Sequence, residues 1–248
     1  MGEVLQCVNG KAEVRLFRGT NSNMYIISYL KENKSILVDC GLPWDIPNLL
    51  EFIEKNSLPP IEKVVCTHFH VDHCAGWIEL RKTVKLPRIY FHKEGAPVVS
   101  GEKSMEFPAF RDFKDIMLPV MQEYQYTPEL KEAIKTLFFG TTFKSRFPMR
   151  RVSFFDSNEE VVPGFKTIHT PGHRPESVSF YDPDSGVFIS GDFIIVMKGR
   201  VVVNTFVYNA KKQMESVEKV KKLDNLIYLL PGHGPIVHFN ERLLRYKV

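Results

Sequence analysis

The chain has 248 residues, of which 44% are hydrophobic and 25% charged. That composition excludes a disordered polar chain, and the length is enough to bury a core without disulfide or metal staples. Lys and Arg number 33 against 29 Asp and Glu, a net charge of +4, too small a surplus to call for nucleic acid. No run approaches the roughly 18 consecutive apolar residues of a membrane helix. Residues Met1 to Gln6 lack the basic start and apolar stretch of a secretory signal. Cys7, Cys40, Cys66 and Cys74 show no CxxC spacing. They are read as reduced thiols, which places the chain in the cytoplasm.

In chain order, Met24 to Leu30 and Ser35 to Asp39 are apolar, β-branched runs separated by Lys31 to Lys34, the pattern of a hairpin. From Asp45 to Asn56, apolar residues at 46, 49, 50 and 53 predict a helix, stopped by Pro59-Pro60. Lys63 to Thr67 reads as a buried strand, Trp77 to Leu80 as the start of a short helix, and Arg88 to Phe91 as another strand. Residues 94–151 break this alternation and predict an inserted helical cap within one domain spanning 1–248. Phe107, Phe110, Met117, Met121 and Tyr124 would form the apolar face of its first helix, kinked at Pro119. Thr127-Pro128-Glu129 would open the second helix and Gly140 close it. Strand, helix and strand then return at Val187 to Ser190, Lys211 to Leu223 and Leu226 to Leu230, with Asn209 as the helix cap.

The histidines carry the chemistry. Thr67-His68-Phe69-His70-Val71-Asp72-His73 puts four potential ligands directly after a strand. In extended backbone His68 and His70 point to the same side. Ile168 to His173 and Leu229 to His233 each run apolar strand, Pro-Gly turn, histidine, so the turn stops the strand and projects the ring from its end. Ser190-Gly191-Asp192 ends a further strand on an acid. All of these lie where α/β sheets build their sites. Five imidazoles and two carboxylates, with no thiolate, suit Zn²⁺ first, with Fe or Mn as alternatives. Seven donors exceed one tetrahedral site and suit two metals sharing a bridging carboxylate.

These motifs resemble the metallo-β-lactamase-fold hydrolase superfamily. His68-x-His70-x-Asp72-His73 is similar to its HxHxDH signature, and Thr170-Pro-Gly-His173 to its TPGH segment. Ser190-Gly-Asp192 resembles its Gly-Asp strand end, Pro231-Gly-His233 its last ligand, and Leu37-Val-Asp-Cys-Gly41 its strand–Asp–x–Gly turn. The resemblance implies an αβ/βα four-layer sandwich with the site along one edge. It implies His68, His70 and His173 on a first metal, Asp72, His73 and His233 on a second, Asp192 as the bridge, and Asp39 orienting a ligand imidazole. The activity it implies is hydrolysis of an ester, thioester or lactone of a small molecule by a metal-bound hydroxide, with Asp72 shuttling the proton.

Departures from the family's branches narrow the reading. Asp192 argues against β-lactam hydrolysis, and His70 against the flavodiiron branch. Phe193 to Arg200 lacks the Gly-Arg-rich motif of glyoxalase II and the persulfide dioxygenases, and Ile195 stands where acyl-homoserine lactonases carry tyrosine. A phosphodiesterase or nuclease and a single-iron dioxygenase are the alternative activities. Phe107, Phe110, Met121, Tyr124, Phe138, Phe139 and Phe143 either wall the substrate pocket or pack the inserted helices. The bases of the segment from Lys144 to Arg151 either meet an anion or are solvated. Arg174, directly after a candidate ligand, is the substrate-contact candidate. His92, His169 and His238 fit no ligand slot.

Overall fold

The computed structural model describes residues 4–83, 88–103, 147–197 and 199–238. Seven strands form the first sheet: β1 (Val4–Cys7), β2 (Ala12–Arg18), β3 (Asn23–Tyr29), β4 (Lys34–Val38), β5 (Ile61–Val65), β6 (Arg88–His92) and β7 (Val152–Phe155), in that spatial order. Strands β1 to β4 pair antiparallel, and β4 to β7 pair parallel. The second sheet is built from β8 (Lys166–His169), β9 (Val178–Asp182), β10 (Val187–Gly191), β13 (Tyr228–Pro231) and β14 (Val237–His238), ordered β14-β13-β10-β9-β8. A separate hairpin, β11 (Ile194–Met197) with β12 (Arg200–Val203), follows β10.

Side chains that alternate along each strand bury both faces of both sheets. Met24 and Ile26 of β3 pack with Leu37 and Val64 against helices α1 (Ile46–Lys55) and α3 (Trp77–Thr83), through Ile46, Leu49, Trp77 and Leu80. Their neighbours Tyr25 and Ile27 face the other way. With Ile36, Val38 and Val65 they meet Phe180, Val187, Ile189 and Leu230 of the second sheet. Phe188 and Leu229, on the far side of that sheet, pack on Val217 and Val220 of the helix Ala210–Val220. The layers run helix, sheet, sheet, helix, as the four-layer expectation requires.

The expected hairpin is β3 and β4. The expected C-terminal strand–helix–strand is β10, the helix Ala210–Val220 and β13, with β10 and β13 parallel. Asn209 caps the helix, its side chain accepting from the Lys212 amide at 3.0 Å. One expected strand is displaced: β5 spans Ile61–Val65 rather than reaching Thr67. Thr67 turns its amide to the Asp39 carboxylate at 2.8 Å, which takes it out of the ladder. The β1–β2 hairpin and the one-turn helix α2 (Val71–Cys74) add to what the sequence pattern predicts.

Of segment 94–151, the described parts pack on the sandwich. Helix α4 (Ala96–Val99) contributes Val98 and Val99 to the first core. Phe147 stacks on Trp77, with centroids 5.4 Å apart, and meets Phe69 and Phe91 edge-on. The two expected cap helices, their aromatic residues from Phe107 to Phe143, and Lys144 and Arg146 lie outside the described residues. Among the described residues no helix is long and apolar enough to cross a membrane, and the four cysteines are free and buried.

Two histidines outside the ligand slots tie the sheets together. His92, at the end of β6, stacks on His169, at the end of β8, with centroids 4.3 Å apart. Burial, and then the neighbouring His169, push His92 down to about 4; burial also lowers His169. Both rings are therefore neutral in the fold, whereas an unfolded histidine takes its proton near pH 6.5. The unfolded chain binds more protons below that point, so stability that is full above pH 6.5 is lost as the pH falls towards 4. At pH 5 the His92 share of the loss is about 2 kcal/mol. Denaturant titrations at pH 7 and pH 5 should show His92→Phe losing less stability on acidification than the wild type. Equal losses would contradict this account of the stack.

Candidate metal centre

The site residues leave the two sheets at one edge. Asp39 follows β4, His68 to His73 follow β5, His173 follows β8, Asp192 follows β10, and His233 follows β13. The two Pro-Gly turns make the approach possible. A side chain at Gly232 would sit 2.2 Å from Asp192 Oδ1, and one at Gly172 would sit 2.1 Å from Gln213 Oε1. Glycine lets both backbones come this close.

All seven predicted ligands converge. His68, His70, His173 and Asp192 bring donor atoms within 4.8 Å of one another, and so do Asp72, His73 and His233. Asp192 joins the groups: its Oδ2 lies 3.2 Å from His233 Nε2, 3.6 Å from His173 Nε2 and 3.8 Å from His68 Nε2, and its Oδ1 lies 3.3 Å from His73 Nε2. His70 turns the opposite nitrogen inward, its Nδ1 lying 2.9 Å from His68 Nε2 and 3.2 Å from His173 Nε2.

Outer hydrogen bonds decide what the inner nitrogens are. His73 Nδ1–H donates to Asp39 Oδ2 at 2.9 Å, His173 Nδ1–H to the Phe206 carbonyl at 2.6 Å, and His233 Nδ1–H to the Asn21 carbonyl at 2.8 Å. The Thr67 hydroxyl donates to Asp39 Oδ2 at 2.8 Å, so it accepts from His68 Nδ1–H at 3.0 Å. With Nδ1 tied to its acceptor, each of these four rings, once neutral, offers an Nε2 lone pair to the centre. Lone pairs and carboxylate oxygens facing one another at these distances fit a cation. Nitrogen and oxygen donors suit zinc, iron or manganese.

The electrostatics agree. Burial holds His68, His70 and His173 below the usual imidazole range. Burial also opposes charge on His73 and His233, yet the carboxylates led by Asp192 outweigh it and raise both. Asp192 stays ionised for the converse reason: His233 and His73 overcome the upward push of burial. The centre calls for positive charge, which protons or metal ions supply.

Asp39, the expected orienting acid, is the hub of the supporting shell. It is 2% exposed and sits at φ 57°, a left-handed conformation that Asp tolerates better than most residues. Its two oxygens take the Thr67 amide, the Thr67 hydroxyl and His73.

Several supporting residues were not foreseen. Asn21 donates to Asp72 Oδ2 at 2.8 Å while its carbonyl holds His233. Asn23 clamps the last ligand turn through the carbonyls of Pro231 and Gly234 at 2.8 and 2.7 Å. The polar run Thr20-Asn21-Ser22-Asn23 before an apolar strand is the one sequence signal that could have marked them. Glu176, 1% exposed, accepts from the Phe69 amide between His68 and His70 at 3.2 Å. Its other neighbour is Arg174, whose Nε lies 3.5 Å from Glu176 Oε1. Arg174 is thus a buried partner of this acid. His238 packs edge-on against the Tyr228 ring, apart from the centre.

Loss of a ligand's outer partner typically costs 10–100-fold in metal affinity. Asp39→Asn should therefore weaken zinc binding by about one to two orders of magnitude, as read by competition with a chromogenic chelator. Unchanged affinity would remove Asp39 from the role of orienting His73.

Comparison with known proteins agrees with this architecture. Residues 17–233 match the family model described as the metallo-beta-lactamase superfamily. The chain is 26% identical over 221 residues to the probable metallo-hydrolase MJ0888 of Methanocaldococcus jannaschii, covering 88% of this chain and 90% of that protein. It is 23% identical over 223 residues to the probable metallo-hydrolase YflN of Bacillus subtilis, covering 88% of this chain and 70% of that protein. Among solved structures, TTHA1623 in a di-iron-bound form superposes with a TM-score of 0.60 at 20% identity, over 90% of this chain and 92% of that one. The BLEG-1 B3 metallo-beta-lactamase superposes with a TM-score of 0.57 at 19% identity, over 96% and 94%. With its fold, its gathered histidines and a family match over most of its length, the chain belongs to the metallo-beta-lactamase superfamily.

Proposed function

We propose that the protein is a dinuclear metal-dependent hydrolase that cleaves an ester, thioester or lactone bond of a small molecule. The observation that carries this reading is the convergence of five imidazoles and two carboxylates, four of the rings having their outer nitrogens tied off. His68, His70 and His173 would hold one ion, Asp72, His73 and His233 the other, and Asp192 both. Zinc is the first choice; the di-iron form of TTHA1623 makes iron the second. Bound divalent ions would supply water deprotonated near neutral pH and a positive centre for a developing oxyanion.

The chain's own residues supply the rest. Asp72 is half-buried and already accepts from Asn21, which fixes one oxygen and leaves the carboxylate able to orient water and carry its proton. Arg174 is proposed to meet an anionic part of the substrate beside His70 and His173, its charge balanced in the resting protein by Glu176. Asp192 replaces hydration of the surrounding imidazoles with a fixed carboxylate, so no solvent need reorganise during reaction.

Metal analysis of the purified protein should find two divalent ions per chain. A panel of p-nitrophenyl esters, thioesters, lactones and bis-p-nitrophenyl phosphate should show ester or thioester turnover above phosphodiester turnover. Asp192→Ala should lose metal and reduce kcat by at least about 100-fold. One iron per chain with oxygen uptake, or phosphodiester turnover alone, would overturn the proposal.

A further inference from the structure

Residues 204–209 of the segment after β12, Asn-Thr-Phe-Val-Tyr-Asn, contain no charged side chain, yet they form one wall of the metal centre. Their backbone is pinned along its length. The Asn204 amide donates to the Phe193 carbonyl at 3.2 Å, and its side-chain oxygen accepts from the Phe206 amide at 2.9 Å. The Phe206 carbonyl takes the His173 ring at 2.6 Å. The Tyr208 amide donates to the His173 carbonyl at 3.3 Å, and the Asn209 amide to the Gly172 carbonyl at 3.0 Å. Gln213, on the helix Ala210–Val220, closes the set by donating to the Asn204 carbonyl at 3.2 Å.

This scaffold presents the half-buried Phe206 ring to two candidate ligands at once. Its centroid lies 5.3 Å from that of His173, edge-on, and 6.3 Å from that of His70, where the rings are inclined by only 24°. The outward nitrogen of His70 is buried and finds no polar partner among the described residues. Tyr208, two residues on, is 58% exposed. What this segment itself presents beside His70 and His173 is therefore aromatic and carries no charge of its own. A group passing over it gains by shedding water if it is apolar.

We infer that Phe206 is a specificity-determining residue that selects substrates with an apolar acyl or aryl group next to the scissile bond. This rests on the proposed hydrolase reading and narrows it to esters or thioesters of apolar acids. The pinned backbone reduces what must be ordered on binding, so burial against the ring counts toward discrimination.

The test uses zinc-loaded wild-type, Phe206→Leu and Phe206→Ala proteins, each checked for zinc content and melting temperature. Turnover of p-nitrophenyl acetate and octanoate gives a ratio of kcat/KM, and calorimetry gives binding of acetate and octanoate without turnover. The wild type should favour octanoate in both. Phe206→Ala should lower both octanoate-to-acetate ratios by about tenfold or more, since a pocket contact of this size discriminates by 10–200-fold. Phe206→Leu should retain most of the preference. No chain-length preference in the wild type, or ratios unmoved in a Phe206→Ala protein that keeps its zinc, would overturn the inference. If the wild type cleaves only bis-p-nitrophenyl phosphate, the ester and thioester reading fails separately, and the calorimetric ratios still decide whether Phe206 binds apolar groups.

Discussion

Each of four buried imidazoles is held by an acceptor on its outer side, and the rest of the centre depends on that constraint. His68, His73, His173 and His233 give their Nδ1 protons to Thr67, Asp39, the Phe206 carbonyl and the Asn21 carbonyl. Were these acceptors removed, the rings could rotate or change tautomer, and the Nε2 lone pairs would no longer be bound to face Asp192. Two of the acceptors are main-chain carbonyls, which only the backbone path can place. The fold therefore specifies the chemistry through loop conformation as much as through ligand identity.

That path follows from the sandwich. Parallel strands at the middle of each sheet end at the same edge: β4 and β5 in the first, β10 and β13 in the second. The apolar contacts of Tyr25, Ile27 and Val65 with Phe180, Ile189 and Leu230 hold the sheets face to face. Chain segments far apart in sequence thus deliver ligands to one place. Cross-links at the edge fix the register of the two halves: the Asn23 amide donates to the Gly232 carbonyl at 2.8 Å, and the Val178 amide to the Thr67 carbonyl at 2.9 Å. The Tyr25 hydroxyl adds a third, reaching the Pro231 carbonyl at 2.7 Å. Burying acids as deep as Asp39 and Asp192 is costly unless they are paired, and here each sits among imidazoles or hydrogen-bond donors.

Much of this was legible in the chain. The HxHxDH run, the two Pro-Gly-His turns and the Ser-Gly-Asp strand end carry donor type, spacing and strand-end position together, so all seven candidate ligands could be named, and the family resemblance pointed to Asp39. The apolar runs at 24–30 and 35–39 around a polar break, and the cap at Asn209, announced the hairpin and the last helix. What stayed hidden was tertiary. Phe206 holds His173 through a carbonyl that every residue possesses, so nothing in its identity signals the role. Glu176 supports the segment between His68 and His70 from more than a hundred positions away. Strand β5 ends early because the Asp39 carboxylate competes for the Thr67 amide, a contact between two strand ends that no local propensity records.

Ligand identity and a positive-charge requirement are common to many metal sites; what distinguishes this one is a set of tautomers imposed from outside. Long-range ¹H–¹⁵N correlation of the histidine side chains in the zinc-loaded protein reads those tautomers directly. The account predicts protonated Nδ1 and metal-shifted Nε2 for His68, His73, His173 and His233, and the reverse for His70. Protonated Nε2 on any of those four, or nitrogen shifts that do not move when zinc is added, would contradict it.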